Sequence, residues 1–143
     1  MTNFTNPSDD EIRAILSRPT TVAVVGCSDN PDRDSLRIAA LLKHKGFRVI
    51  PVNPQLEPEA LRAELGERCY PELASIPGAV EMVDVFRRSE FLPEIVEAAI
   101  KKGAKILWGQ LGVIHAGAAA RARAAGLTVV MDRCPAIEYR RLF

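Results

Sequence analysis

No stretch of this chain approaches the eighteen or so consecutive apolar residues of a membrane-spanning helix, which argues against a transmembrane segment. The N-terminus shows no basic-then-apolar export pattern, so the protein is expected in the cytoplasm. There is no excess charge of one sign: 19 Lys and Arg face 18 Asp and Glu. A bulk electrostatic case for nucleic acid or an anionic membrane is therefore missing. Three cysteines, Cys27, Cys69 and Cys134, are odd in number, far apart and without metal-ligand spacing, which implies free thiols in a reducing compartment. Internal repeats and low-complexity tracts are absent. Neither of the two histidines, His44 and His115, has a visible acid or base partner, so both are expected on a solvated surface and no catalytic or metal site is predicted.

What is present is a regular alternation. An apolar run, Val22–Val25, ends at Gly26, and after a polar loop Leu36, Ile38, Ala39, Leu41 and Leu42 recur at helical spacing before Gly46. A second apolar run, Val49–Val52, closes on Asn53-Pro54. This is a strand–loop–helix–strand unit of the length a parallel crossover needs.

The same reading along the chain predicts a frayed polar terminus over residues 1–7 and a helix over Asp9–Ser17 opened by the capping box Ser8 to Glu11. Strands follow at 21–25 and 48–52, and a helix at 35–45. Helical turns are expected near 59–65 and 73–76, with a weak edge strand at 68–70. A strand at 80–86 leads to a helix running from a Ser89 cap to Lys102. Strands at 105–108 and 127–131 flank a small-residue helix at 116–125. Residues 1–19 thus form an N-terminal segment and 20–143 one domain. Strands apolar on both faces, alternating with helices, predict a Rossmann-like, doubly wound parallel α/β sheet. Its order is 3-2-1-4-5-6 if residues 68–70 count as a strand.

Ligands of such sheets bind beyond the strand C-termini. Here those ends are Gly26–Arg33, Asn53-Pro54, Phe86–Arg88, Gly109-Gln110 and Asp132-Arg133. The first loop joins a strand end to a helix start, where free N–H groups and the helix dipole favour a phosphate. Gly26 permits a sharp turn and close ligand approach. Ser28 and Ser35 offer hydroxyls, and Arg33 and Arg37 offer forked donors. The dinucleotide fingerprint Gly-x-Gly-x-x-Gly is missing, as is an acidic residue where Asn53 stands, which disfavours a nicotinamide-type redox sensor. A Walker loop is missing too. Cys27 and Arg33 stand in Cys-x5-Arg spacing, which leaves open a small cysteine-dependent phosphatase with Asp132 as general acid. Asp29, Asp32 and the donor-less Pro31 count against that alternative.

Five ordered blocks carry a more specific signal. They are Val-Val-Gly-Cys-Ser-Asp-Asn-Pro-Asp-Arg-Asp-Ser at 24–35, Val-Ile-Pro-Val-Asn-Pro at 49–54, Val-Asp-Val-Phe-Arg-Arg-Ser-Glu at 83–90, Trp-Gly-Gln-Leu-Gly-Val at 108–113 and Val-Met-Asp-Arg-Cys-Pro at 130–135. Over Thr20 to Tyr139 the chain resembles the small standalone CoA-binding proteins, which are similar to the N-terminal CoA-binding domain of the succinyl-CoA synthetase α subunit. Asp34, where that family commonly has proline, is a departure in the loop.

The resemblance implies a non-catalytic protein that binds coenzyme A or an acyl-CoA across the strand ends, alone or as part of a larger assembly with a protein partner. It places the pyrophosphate around Gly26, Cys27, Ser28, Asn30, Arg33 and Ser35. The adenosine part would lie near Val52, Asn53, Pro54, Phe86 and Arg87, with Gly109 and Gln110 bordering the pantetheine end. Arg37, Arg48 and Arg88 become candidates for the 3′-phosphate. The synthetase's second domain, with its phosphorylated histidine, has no counterpart among these residues. Cys27 has two readings: a small residue fitted beside the ligand, or a thiol activated by a helix N-terminus and open to a mixed disulfide with CoA. Asp84, inside a strand, reads as a structural carboxylate, and Phe86 and Trp108 as core or pocket wall.

Overall fold

In a computed structural model, which describes residues 4–143, five parallel strands form one sheet. They are β1 (Thr21–Val25), β2 (Arg48–Val52), β3 (Met82–Val85), β4 (Ile106–Gly109) and β5 (Thr128–Val130), in the order β2-β1-β3-β4-β5. Six α-helices accompany them: α1 (Asp9–Ser17), α2 (Asp34–His44), α3 (Arg62–Leu65), α4 (Leu92–Lys102), α5 (Ala116–Ala124) and α6 (Pro135–Leu142). The predicted edge strand shrinks to one parallel bridge between Tyr70 and Val52. It lies where the expected order put it, outside β2, but Pro71 follows at once and the pairing cannot extend.

The alternation of side chains along each strand sorts the core into two layers. Ala23, Val25, Val83, Val85 and Leu107 meet α4 and α5 on one face. Val22, Val24, Met82, Trp108 and Val130 meet α1, α2 and α6 on the other. Local chemistry sets the element ends. Ser8 Oγ accepts the Glu11 N–H at 3.2 Å, closing the expected capping box of α1. Gly103, at φ +80, ends α4.

Three expectations need correction. Ser89 is no helix cap: residues 89–91 form a 3₁₀ turn and α4 starts after Phe91. Ser89 Oγ instead donates to the Gly112 carbonyl (3.1 Å) and accepts the Ile114 N–H (2.9 Å). His115 is not merely solvated, since its Nδ1 accepts the Ala118 N–H at 2.9 Å and caps α5. Residues 4–7 are tied down rather than frayed: the Asn6 side chain exchanges two hydrogen bonds with the Met131 backbone, at 2.9 and 2.8 Å. Residues 1–3 lie outside the described residues. The whole of α6 went unforeseen.

Candidate functional site

The strand order reverses between β1 and β3, so their tips diverge into loops that lead away on opposite sides. At the tip of β1 the Gly26 N–H donates to the Val52 carbonyl (2.9 Å), and at the tip of β3 the Phe86 N–H donates to the Val25 carbonyl (2.8 Å). Gly26 has φ +85, and a Cβ there would stand 2.9 Å from the Phe86 carbonyl oxygen. Glycine is thus required for the two tips to pack, a different reason from the expected ligand approach.

The loop that follows is folded on itself by its own polar groups. Ser35 Oγ accepts the Ser28 N–H (2.9 Å), Ser28 Oγ the Asn30 N–H (3.0 Å), and Asn30 Oδ1 the Asp32 N–H (2.9 Å). The Asn30 carbonyl accepts the Arg33 N–H at 3.0 Å. Asn53 stitches this loop to the tip of β2: its Nδ2 donates to the Cys27 carbonyl (2.9 Å) and its Oδ1 accepts the Gln55 N–H (2.8 Å). Both ends of that amide are consumed. The start of α2 has no side-chain cap, so its first-turn N–H groups face the space above the loop.

Three clefts run together along these tips. The middle one, about 610 Å³, is lined by Gly26, Ser28, Asp32–Ser35, Arg37 and Phe86. A second, about 560 Å³, shares Asp34, Arg37 and Phe86 with it and continues between α2, Gln110-Leu111 and α6. A third, about 290 Å³, shares Gly26 and continues past Val52, Pro54, Leu73 and Arg87 to α4. Of the expected site residues, Gly26, Ser28, Arg33, Ser35, Arg37, Val52, Pro54, Phe86, Arg87 and Gln110 line this trough. Asn30 and Asn53 shape it from behind through the bonds above. Gly109 sits in the closing turn of β4, where a Cβ would stand 2.9 Å from the Val113 carbonyl oxygen.

Others fall elsewhere. Arg48 begins β2, at the opposite end of the sheet, and makes a two-pronged pair with Glu67 at 3.0 and 3.1 Å. Arg88 pairs with Glu90 at 3.1 Å and is largely exposed. Cys27 is fully buried in the layer under α2, and burial pushes its thiol up to about 12, with Cys69 and Asp84 adding to the effect. Burial and that upward shift both disfavour the thiolate, the form that a nucleophile or a mixed disulfide with a ligand needs. Asp132, the would-be general acid, accepts the Gly112 N–H at 2.8 Å. Both supports of the phosphatase reading are thereby removed. The described residues contain no group of three or more His, Cys, Asp or Glu suited to a metal ion, and no helix long and apolar enough to cross a membrane.

One pair emerges that the sequence only half revealed. Asp84, in the central strand, is completely buried. Its Oδ1 accepts the Gln110 Nε2–H at 2.6 Å, while Oδ2 has no partner. Burial pushes its carboxyl up to about 7, against the opposing pull of that hydrogen bond. The walls contributed by α6, Ala136, Ile137 and Arg140, were missed altogether. The available signal was Pro135, a residue suited to the first turn of a helix, followed by Glu138 and Arg141 at i,i+3.

Comparison with known proteins gives the chain its relatives. The chain is 40% identical over 129 residues to the Bacillus subtilis protein YneT, covering 90% of this chain and 92% of that one. It is 32% identical over 92 residues (63% of this chain) to the ADP-forming acetate–CoA ligase II of Archaeoglobus fulgidus, of which it spans 13%. A solved structure from Pyrococcus horikoshii OT3, described as a hypothetical protein, superposes with TM-score 0.87 at 39% identity, covering 99% of each chain. The family model described as CoA binding domain matches residues 20–140, and the chain belongs to that family.

Proposed function

We propose that this protein binds coenzyme A, or a thioester of it, along the strand tips and catalyses no reaction on its own. The observation that carries the reading is the confluence of the three clefts into one elongated trough whose middle sets the donors Ser28, Ser35, Arg33 and Arg37 beside the exposed carboxylates of Asp32 and Asp34. Coenzyme A is itself elongated, with a pyrophosphate between a 3′-phosphorylated adenosine end and an uncharged pantetheine arm. In this reading the pyrophosphate meets the open start of α2 with Arg33 and Arg37. The adenosine takes the cleft at Val52, Pro54 and Arg87, and the pantetheine arm runs past Phe86 toward Gln110. Arg37 is paired with Asp34, but both are well exposed. Such a pair is worth about 0–1 kcal/mol, so exchanging it for a phosphate is cheap. The non-catalytic part of the reading is supported by where the reactive groups lie: Cys27 is buried and protonated, and His115 is committed to a helix cap.

Calorimetric titration with CoA, 3′-dephospho-CoA and NAD tests the proposal. CoA is expected to bind, 3′-dephospho-CoA to bind more weakly through loss of the charge facing Arg87 at the adenosine cleft, and NAD not measurably. Arg33→Ala is expected to weaken CoA roughly tenfold or more, the scale of one charge-assisted hydrogen bond. Absence of CoA binding, or equal binding of NAD, overturns the reading.

A further inference from the structure

We infer that the ligand's thiol end carries an acyl chain, and that the cleft between α2, the β4–α5 loop and α6 is where that chain lies. This rests on the coenzyme A reading above.

The first argument is composition. Ile38, Leu41, Phe86, Leu111 and Ile137 form the apolar walls of a cleft of about 560 Å³, with Asp34, Arg37 and Arg140 also in its lining. Leu111 is 58% exposed and Ile137 40% exposed, from two different elements lining one cavity. A pantetheine arm, with two amides and a hydroxyl among its methyls and methylenes, covers such walls only in part, whereas an aliphatic chain removes both side chains from water.

The second argument is rigidity. Leu111 does not stand out because its loop is loose. On the next residue, the Gly112 N–H donates to Asp132 Oδ1 (2.8 Å) and the Gly112 carbonyl accepts from Ser89 Oγ (3.1 Å). Ser89 Oγ also accepts the Ile114 N–H at 2.9 Å. Asp132 takes φ 58, in the left-handed region, to reach its partner. A loop braced from two strand ends holds an apolar side chain against water as a preformed wall, which lowers the ordering cost of binding.

The third argument is continuity. Phe86 and Arg37 line both this cleft and the middle one, so a chain leaving the phosphates enters here. Inside this cleft, past the shared residues, stands Gln110, itself 6% exposed. Its Nε2 is held by Asp84, which fixes the carboxamide and leaves Oε1 to accept from an amide N–H of the arm. The amide-bearing arm thus ends at Gln110 and the apolar chain begins beyond it.

Titration with CoA and hexanoyl-CoA, in the wild type and in Ile137→Asp and Leu111→Asp, tests the inference. Hexanoyl-CoA is expected to bind at least tenfold tighter than CoA. That factor is about 1.4 kcal/mol, less than two fully buried methylenes supply. In each variant the ratio of the two affinities is expected to fall toward one. Both substitutions are at exposed positions, and far-ultraviolet circular dichroism of the same sample reports that it is folded. Equal affinities in the wild type, or an undiminished ratio in both variants, overturns the acyl cleft and leaves the CoA reading standing. Failure of both ligands to bind overturns the CoA reading and the inference with it.

Discussion

Asp84 sits in the central strand with no exposed surface, one oxygen bonded to Gln110 and the other to nothing. Its facing titratable neighbour, Cys27, stays protonated throughout the neutral range. With the carboxyl raised from an ordinary 3.8 to about 7, the native state holds a proton that the unfolded chain gives up at lower pH. The contribution of Asp84 to stability therefore falls as pH rises from about 4 to about 7, by on the order of 3–4 kcal/mol for a shift of this size. Asp84→Asn is expected to remove that slope and to match or exceed the wild type at pH 8, as read by urea unfolding at several pH values. An unchanged slope in the variant would assign the pH dependence to other groups. At this scale the sequence was a partial guide. It pointed to the loop residues Gly26, Ser28, Arg33 and Ser35, because strand-end position and side-chain chemistry are both local. It could not show that Cys27 turns inward or that Asn53 is spent at both ends. The place of Arg48, at the far end of its strand from the tips that line the trough, was legible, since it opens the apolar run.

The last helix illustrates what element-level reading misses. Pro135 reads equally as the stop after β5 and as the first turn of α6, and only the carboxylate that follows decides. Glu138 is 2% exposed and is held by Arg133 Nη1 at 2.8 Å and by Arg141 at 2.8 and 3.2 Å. Arg141 also makes a two-pronged pair with Asp9 of α1, at 2.9 and 2.8 Å. One buried carboxylate thus ties the β5–α6 turn, α6 and the first helix together. Hydrogen bonding to Arg141, and then Arg133, holds its carboxyl below the usual range, so this contribution is present near neutral pH and is lost as pH falls through its lowered value. Glu138→Ala leaves two arginines without their acceptor. Because these keep 35% and 40% exposure, the expected loss is on the order of 2–3 kcal/mol, below that of a wholly buried pair. Arg141→Ala, at the wetter end, is expected to lose less. Urea midpoints of the two variants check the order; a reversed order would mean that the clasp with Asp9 dominates.

At the scale of the molecule, the strand order was legible because crossover chirality and alternating elements leave few arrangements, and only the weak edge at Tyr70 fell short of a strand. The same order makes every strand of the sheet a member of both core layers. Neither layer can lose its packing without exposing the back of strands that the other layer covers. The two are therefore expected to unfold together despite lying on opposite faces. The chain's one tryptophan makes this measurable. Trp108 is wholly buried in the α2–α6 layer, and its Nε1–H donates to the Arg133 carbonyl at 2.8 Å. Its fluorescence reports that layer, while far-ultraviolet circular dichroism reports helices of both. Leu92, on α4, is wholly buried in the other layer. Leu92→Ala is expected to cost roughly 2–5 kcal/mol, and to shift the tryptophan transition in urea by as much as the dichroism transition. Leu42→Ala, on α2, is expected to cost a similar amount, and the double variant to equal the sum within about 0.5 kcal/mol, since the two share no partners. A tryptophan midpoint unmoved by Leu92→Ala would show that the α4–α5 layer melts by itself, and that the sheet is two cooperative units rather than one.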